Sequence, residues 1–477
     1  MILNFWNWPL FCRQIKRSEP EASEPLPEKQ WPIPKIESRT FNPINFHIKT
    51  IMKWNFQKLT LSIALTLFST ASFASDFNIP FVNASELGDL YAGWAASAND
   101  ASTAFTNPAG LTRIKNQQWV FAALGIFGTA GFDGTATPPF PPFPPQSAEA
   151  NTKIHGFLPS FYYATPIMKN LFFGFSVTTP FALGTNYSKT SIVRYSATQS
   201  SILANDFGPS VGFKLTDKLS AGLGLDIDRL ELTLNYLIGM PPFFPNFESQ
   251  NHVVGWGYGM HAGLLYEFTP CTRVGINYNS QIAFHAAGDS NLYSPLLPNN
   301  RFSTNQQKLN MTLPALAQLS VYHDFDSQWA GMASVFYSDW SVFKSVTLQN
   351  VMLPTGQTFS NTVPFNYRNT LDYSAGLSYK LNRKWTFRTG VEYLGEPSNS
   401  GDRIVADPVG AGIVLGVGAH YQQNCALGYD IGLAHAFFHD VGVNHVTTFD
   451  TEFGYCRTQT NVVGIQVTWN QPNVNRV

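Results

Sequence analysis

From Trp119 to Trp469 the chain repeatedly alternates apolar with small or polar residues, the period-two signature of half-buried β-strands. In the last run Val463, Ile465, Val467 and Trp469 share one face, and Gly464, Gln466 and Thr468 the other. Leu427, Tyr429, Ile431 and Leu433 alternate with Gly428, Asp430, Gly432 and Ala434 just before it. Ile413, Leu415, Val417 and Tyr421 do the same against Gly416, Gly418 and His420. Leu171, Phe173, Phe175 and Val177 repeat the pattern, as do Tyr373, Ala375, Leu377 and Tyr379. Read through to the end, the pattern predicts about 14 strands, within the range of transmembrane barrels. One run slips phase: Leu223, Leu225 and Ile227 are odd, whereas Leu230, Leu232 and Leu234 are even. A bulge near Asp228 and Arg229 is expected there, keeping both sets towards lipid.

The connections fall into two classes. Short ones at 166–170, 216–218, 269–271, 324–328, 382–384 and 422–425 are assigned to the periplasmic end. Longer ones at 137–146, 241–250, 290–307 and 395–407 are assigned to the outside. Two of these, TPPFPPFPPQ and PPFFPNFESQ, are stiff Pro/Phe runs whose rings either pack over the mouth or face water.

Ahead of the strands, residues 87–111 form a compact Ala/Gly/Ser-rich stretch, nearly free of charge and too short and polar for a membrane helix. It stops at Asn107-Pro108-Ala109-Gly110, where Pro108 fixes its own φ and biases Asn107 away from helix. Earlier still, Lys53 and Lys58 precede an apolar run over 59–68 and small residues at Ser72 and Ala74, the pattern of a secretory leader. The expected division is therefore 1–51 as an upstream extension outside the native start and 52–74 as signal peptide. Residues 75–118 form a plug, 119–469 a β-barrel wall and 470–477 a tail, and the mature chain begins at Ser75.

Composition supports a membrane barrel over a soluble or helical membrane protein. Charged residues make up 13% and aromatics 14% of the chain, with 39 Phe; soluble domains carry roughly 25% charged residues. Mean hydropathy is −0.08, as expected where lipid-facing and lumen-facing residues cancel. A net charge of −1 gives no reason to invoke nucleic acid. With Cys12 lost along with the N-terminus, Cys271, Cys425 and Cys456 are expected to form no intramolecular disulfide.

The ordered words Asp100-Ala101-Ser102 and Asn107-Pro108-Ala109-Gly110-Leu111 closely resemble the plug segment of the FadL family. Met311-Thr-Leu-Pro314, Tyr337-Ser-Asp-Trp340, Lys384-Trp-Thr-Phe-Arg-Thr-Gly390 and the loop from Arg403 to Pro408 extend the resemblance over essentially the whole mature chain. It implies an all-β transmembrane antiparallel barrel with an N-terminal hatch in its lumen, in the outer membrane of a Gram-negative bacterium. It also implies a monomer without cofactor, taking up long-chain fatty acids or similar hydrophobic molecules by ligand-gated diffusion. Asn107, Pro108, Ala109 and Asp100 are then the gating hatch, and Phe77 and Ile79 the segment a ligand displaces. Two departures stand out. Val409-Gly410-Ala411-Gly412 replaces the acidic and basic residues common after that proline, and the chain continues past the terminal Trp469 with Asn470 and QPNVNRV.

A carboxylate ligand needs a cation or donor at one end. Alternation from Trp385, Phe387 and Val391 points Arg388 and Glu392 inward, and the expected bulge does the same for Arg229 and Glu231. Facing lipid, such a charge costs about 2–4 kcal/mol at mid-depth. Arg388 and Arg229 are thus candidate head-group contacts, with a structural tie between wall and plug as the alternative. Further functions considered are an aromatic-hydrocarbon importer, a surface adhesin and a barrel hydrolase. His435 and His439 lie on a strand-like stretch, where four residues span about 13 Å, too far for one zinc. Gly288-Asp289-Ser290 lacks a catalytic partner, so no enzyme is read here.

Overall fold

The alternating segments pair into one antiparallel sheet that closes on itself. Residues 78–79, 82–137, 145–240, 244–446 and 451–471 are described in the computed structural model. The expected leader, Phe77, the centre of the first Pro/Phe run and the start of the second lie outside them. Contacts divide the chain into Met1–Ala71 and Ser72–Val477, and everything described belongs to the second unit.

The sheet holds nineteen strand segments. Several continue one another across a short break, giving the closed wall of 14 strands that the alternation predicts. They are β1 (Gln117–Thr137), β2 (Gln146–Met168), β3 (Leu171–Asn186), β4 (Gln199–Lys214), β5 (Leu219–Met240) and β6 (Phe244–Thr269). β7 joins Thr272–Asn279 to Ile282–Tyr293, β8 joins Arg301–Leu313 to Leu316–Asp324, and β9 joins Trp329–Ser338 to Ser345–Met352. β10 joins Thr358–Pro364 to Thr370–Lys380; β11 is Trp385–Leu394 and β12 Gly412–Gln422. β13 joins Leu427–Phe438 to Val441–Val446, and β14 is Thr451–Gln471. β14 pairs with β1 from Gln117↔Gln471 to Thr137↔Thr451, which closes the ring and removes the sheet edges.

Side-chain exposure follows the predicted phase. Ile465 and Trp469 are outward at 59% and 45% exposed, whereas Gln466 between them is buried at 2%. Outward aromatics gather at the short-turn end: Trp119 stacks on Trp469 at 4.7 Å, Trp385 meets Tyr421 at 4.7 Å, and Trp329 meets Tyr379 at 4.6 Å. These contacts form an arc of the interfacial girdle that marks a membrane boundary. A closed wall with every strand paired resists detergent until heated. Unheated protein is therefore expected to migrate differently from boiled protein on electrophoresis, and a helix-dominated circular dichroism spectrum would contradict the fold.

Two expectations are corrected. The β5 register runs unbroken past Asp228 and Arg229 on both sides, so there is no bulge. Leu230 therefore points inward at 0% exposure, into a cluster with Phe181, Val253, Phe284 and Trp340. The premise that apolar means lipid-facing fails here because the lumen is itself apolar. Secondly, Cys271 and Cys456 are free, whereas Cys425 is disulfide-bonded.

Inside the wall, residues 82–116 fold into short turns: helices Trp94–Ser97 and Thr103–Thr106, then a 3-10 turn over Pro108–Arg113. Leu87, Leu90, Tyr91 and Trp94 pack against Val120, Leu124 and Leu158 of the wall. Wall glycines let the plug sit flush. A Cβ at Gly263 would stand 1.9 Å from Asn107 Oδ1, and one at Gly275 would stand 1.9 Å from the Ala95 carbonyl oxygen.

Candidate functional site

Pairing between two neighbouring wall strands is incomplete. β2 pairs with β3 from Phe161↔Val177 to Met168↔Leu171, leaving the outer half of β2 unpaired on that side. The cause lies in β3, whose register against β4 shifts between Thr178↔Asp206 and Phe181↔Ala204. Thr179 and Pro180 thus oppose Asn205 alone, a bulge that bends the strand, and Pro180 has no N–H for a ladder. Farther out the strands meet again, where Asn186 N donates to Thr152 Oγ1 at 2.8 Å and Thr152 Oγ1 donates to Asn186 O at 2.9 Å. The result is a window in the wall. The sequence carried a signal for it, because alternation is lost over Thr178-Thr179-Pro180-Phe181, all four of which are buried.

A cavity of about 380 Å³ occupies the window. Ile126, Ile154, Leu158, Leu203 and Val462 line it, and it reaches Phe157, which is 72% exposed on the outer face. Val409, from the Gly-rich departure after Pro408, also lines it. Deeper in the lumen lies a second cavity of about 50 Å³ among Trp94, Phe105, Phe336 and Glu392. Asn78 and Ile79 line both. Ile79 N donates to Pro180 O at 2.8 Å, and Asn78 forms an antiparallel bridge to Phe181, so this segment is fixed to the bulge itself. Among the described residues neither cavity is lined by lysine or arginine.

The hatch is seated by polar contacts in a dry setting. Asn107 is fully buried; its Oδ1 accepts from Ala109 N at 3.1 Å. Its Nδ2 donates to Ala95 O at 2.6 Å within the hatch and to Leu264 O at 3.1 Å in the wall. Pro108 begins the following turn, where its missing N–H costs nothing. Asp100 accepts from Ser85 Oγ and from Gln466 Nε2, each at 2.8 Å, tying the hatch to β14. Arg273 donates to Ala96 O at 2.6 Å and Ser97 O at 2.8 Å, and lies 3.6 Å over the Tyr322 ring. His261 bridges Asp226 at 2.5 Å and the Ala104 carbonyl at 3.0 Å.

The two predicted arginines part company. Arg388 points inward as expected, donating to Asp430 at 3.0 Å and standing 3.7 Å from hatch Asp89. It lines neither cavity. Burial pushes the Asp89 carboxyl up to about 7 against the opposing pull of Arg388, and burial likewise raises Glu86. Arg229, expected inward, is corrected: with no bulge it shares the outward phase, opposite Trp256, and pairs with Glu231 at 2.8 Å. Beside outward Trp256 and Tyr258, such a pair suits the membrane interface, where charge costs only about 0–1 kcal/mol.

Comparison with known proteins gives the same architecture. The chain is 27% identical over 413 residues to the long-chain fatty acid transport protein of Escherichia coli O6:H1, covering 80% of this chain and 91% of that one. It is 24% identical over 435 residues to outer membrane protein P1 of Haemophilus influenzae, covering 83% and 93%. The fold matches the crystal structure of a Pseudomonas aeruginosa FadL homologue with a TM-score of 0.73 at 23% identity, over 83% of this chain and 100% of that chain. It also matches the Pseudomonas putida toluene transporter TodX at 0.62 and 16% identity, over 82% and 99%. The family described as outer membrane protein transport protein (OMPP1/FadL/TodX) matches residues 65–470, nearly the whole barrel and hatch; this chain belongs to that family of outer-membrane transporters of hydrophobic compounds.

Proposed function

We propose that the protein is a passive, ligand-gated channel that takes hydrophobic molecules from outside a Gram-negative cell into its outer membrane. The carrying observation is the apolar cavity of about 380 Å³ that spans the window between β2 and β3. A molecule entering at the mouth reaches the lumen, displaces the segment around Phe77 and Ile79, and leaves sideways into lipid. Ile79 supports this reading because it lines both cavities and moves only by breaking its bond to Pro180. The hatch turn at Asn107-Pro108-Ala109, with Asp100, holds the axial path shut meanwhile. Window, cavities and hatch all come from one chain, which supports a monomer.

Relatives named for long-chain fatty acids and for toluene leave two substrate classes. Among the described residues, the absence of lysine and arginine from both cavity linings favours neutral molecules over carboxylates. Cells expressing the protein are expected to take up radiolabelled 1-octadecene and oleate several-fold faster than cells without it, with the hydrocarbon favoured. Arg388→Ala is expected to change both rates equally, because the guanidinium seats the hatch; a loss confined to oleate would make Arg388 a head-group contact. Binding to host cells or ester hydrolysis without uptake would replace transport by adhesion or catalysis.

A further inference from the structure

The smaller cavity carries more chemistry than an apolar passage needs. Its walls are aromatic: Trp94 lies 6.2 Å from Phe105 and 6.2 Å from Phe336, ring to ring. Into this setting the chain places buried polar atoms that have no partner. Trp94 is 9% exposed and its Nε1–H meets no acceptor. Glu392 is 1% exposed and its Oε2 meets no donor. Asn277 is 4% exposed and leaves its Oδ1 unmet while Nδ2 donates to Asn279. All three line the same cavity. Buried polar groups are ordinarily satisfied, and several unmet together in one cavity point to a ligand that meets them.

We propose that this cavity binds the hydroxyl group of a hydrophobic alcohol or phenol, and so selects hydroxyl-bearing molecules among those the channel passes. The assignment rests on the transport reading above and names its substrate class. A hydroxyl is both donor and acceptor, so it accepts from Trp94 Nε1–H and donates to Glu392 or Asn277. A carboxylate finds one unmet donor, Trp94 Nε1–H, and brings a negative charge beside Glu392 and Asp372, the two acidic side chains of the lining. An ammonium leaves Trp94 unmet and must shed its water to cross the apolar window, which is costly. The cavity volume of about 50 Å³ suits the polar end of a molecule rather than its whole body. Displacing Ile79 then opens the larger cavity to the remainder.

Calorimetric titration of the purified full chain in detergent, with a protein-free blank, tests the assignment. The probes are 4-hexylphenol, 4-hexylbenzoate, 4-hexylbenzylamine and hexylbenzene at neutral pH. The phenol is expected to bind about ten-fold more tightly than the benzoate and the amine, the scale of one or two satisfied hydrogen bonds. Trp94→Phe keeps an aromatic wall without the donor, and Glu392→Leu removes the acceptor. Each is expected to weaken the phenol about ten-fold while leaving hexylbenzene unchanged. Heat-dependent migration confirms that each variant is a closed barrel. Benzoate or amine binding as tightly as the phenol overturns the proposal, as does equal weakening of phenol and hexylbenzene. Cellular uptake of hexylbenzene separates the two readings: uptake without head-group preference overturns this proposal alone, and no uptake overturns the transport reading beneath it.

Discussion

Deletion of Pro180 is expected to cut uptake of 1-octadecene at least about ten-fold while leaving a closed, heat-modifiable barrel. Thr179 and Pro180 face Asn205 alone, so removing one residue lets Thr179 pair with Asn205 and restores continuous register from Thr178 to Phe181. The straightened outer half of β3 regains a full set of N–H donors, and the outer half of β2 is the free ladder beside it. Each new pair adds a backbone hydrogen bond worth about 1 kcal/mol net, so several together favour closure strongly. The window and its cavity disappear, as does the carbonyl that holds Ile79. Uptake is expected to fall at least to about a tenth of wild type, since each 1.4 kcal/mol opposing opening removes a factor of ten in the open population. Unchanged uptake in the deletion variant would mean that molecules leave along the barrel axis.

The second large effect concerns the hatch seat. Asn107→Ala leaves Ala109 N, Ala95 O and Leu264 O without the side chain that meets them. An unsatisfied buried group costs about 1–3 kcal/mol, too little to open a barrel of paired strands but enough to unseat a plug. The variant is expected to assemble normally, change hydrophobic uptake several-fold and leak small hydrophilic solutes, as measured by liposome swelling with arabinose. Gly263→Ala attacks the same contact from the wall, because its new Cβ falls 1.9 Å from Asn107 Oδ1. The two changes should not add: truncating Asn107 makes room for the methyl group, so the double variant is expected to leak no more than Asn107→Ala alone. Additive leakage, or none in either single variant, would show that the turn does not set the seal.

Period-two alternation, low charge and the ordered hatch words determined the barrel, its strand number and the plug inside it. These are local and repetitive features, and a strand's side-chain phase is legible wherever one face meets lipid. Arg388 and Glu392 could be placed inward for the same reason, by counting from Trp385 and Phe387. The phase rule failed at Leu230, because an apolar residue inside an apolar lumen reads identically to one facing lipid, and Arg229 was carried to the wrong face with it. Only the tertiary structure decided the site. The window arises from a pairing that β2 and β3 fail to make, and a missing long-range pair leaves at most a local trace, here the broken alternation around Pro180. The inner cavity joins Trp94 and Phe105 of the hatch to Asn277, Phe336 and Glu392 on separate wall strands. Their separation along the chain hides a proximity that barrel closure and the seating of the hatch alone create.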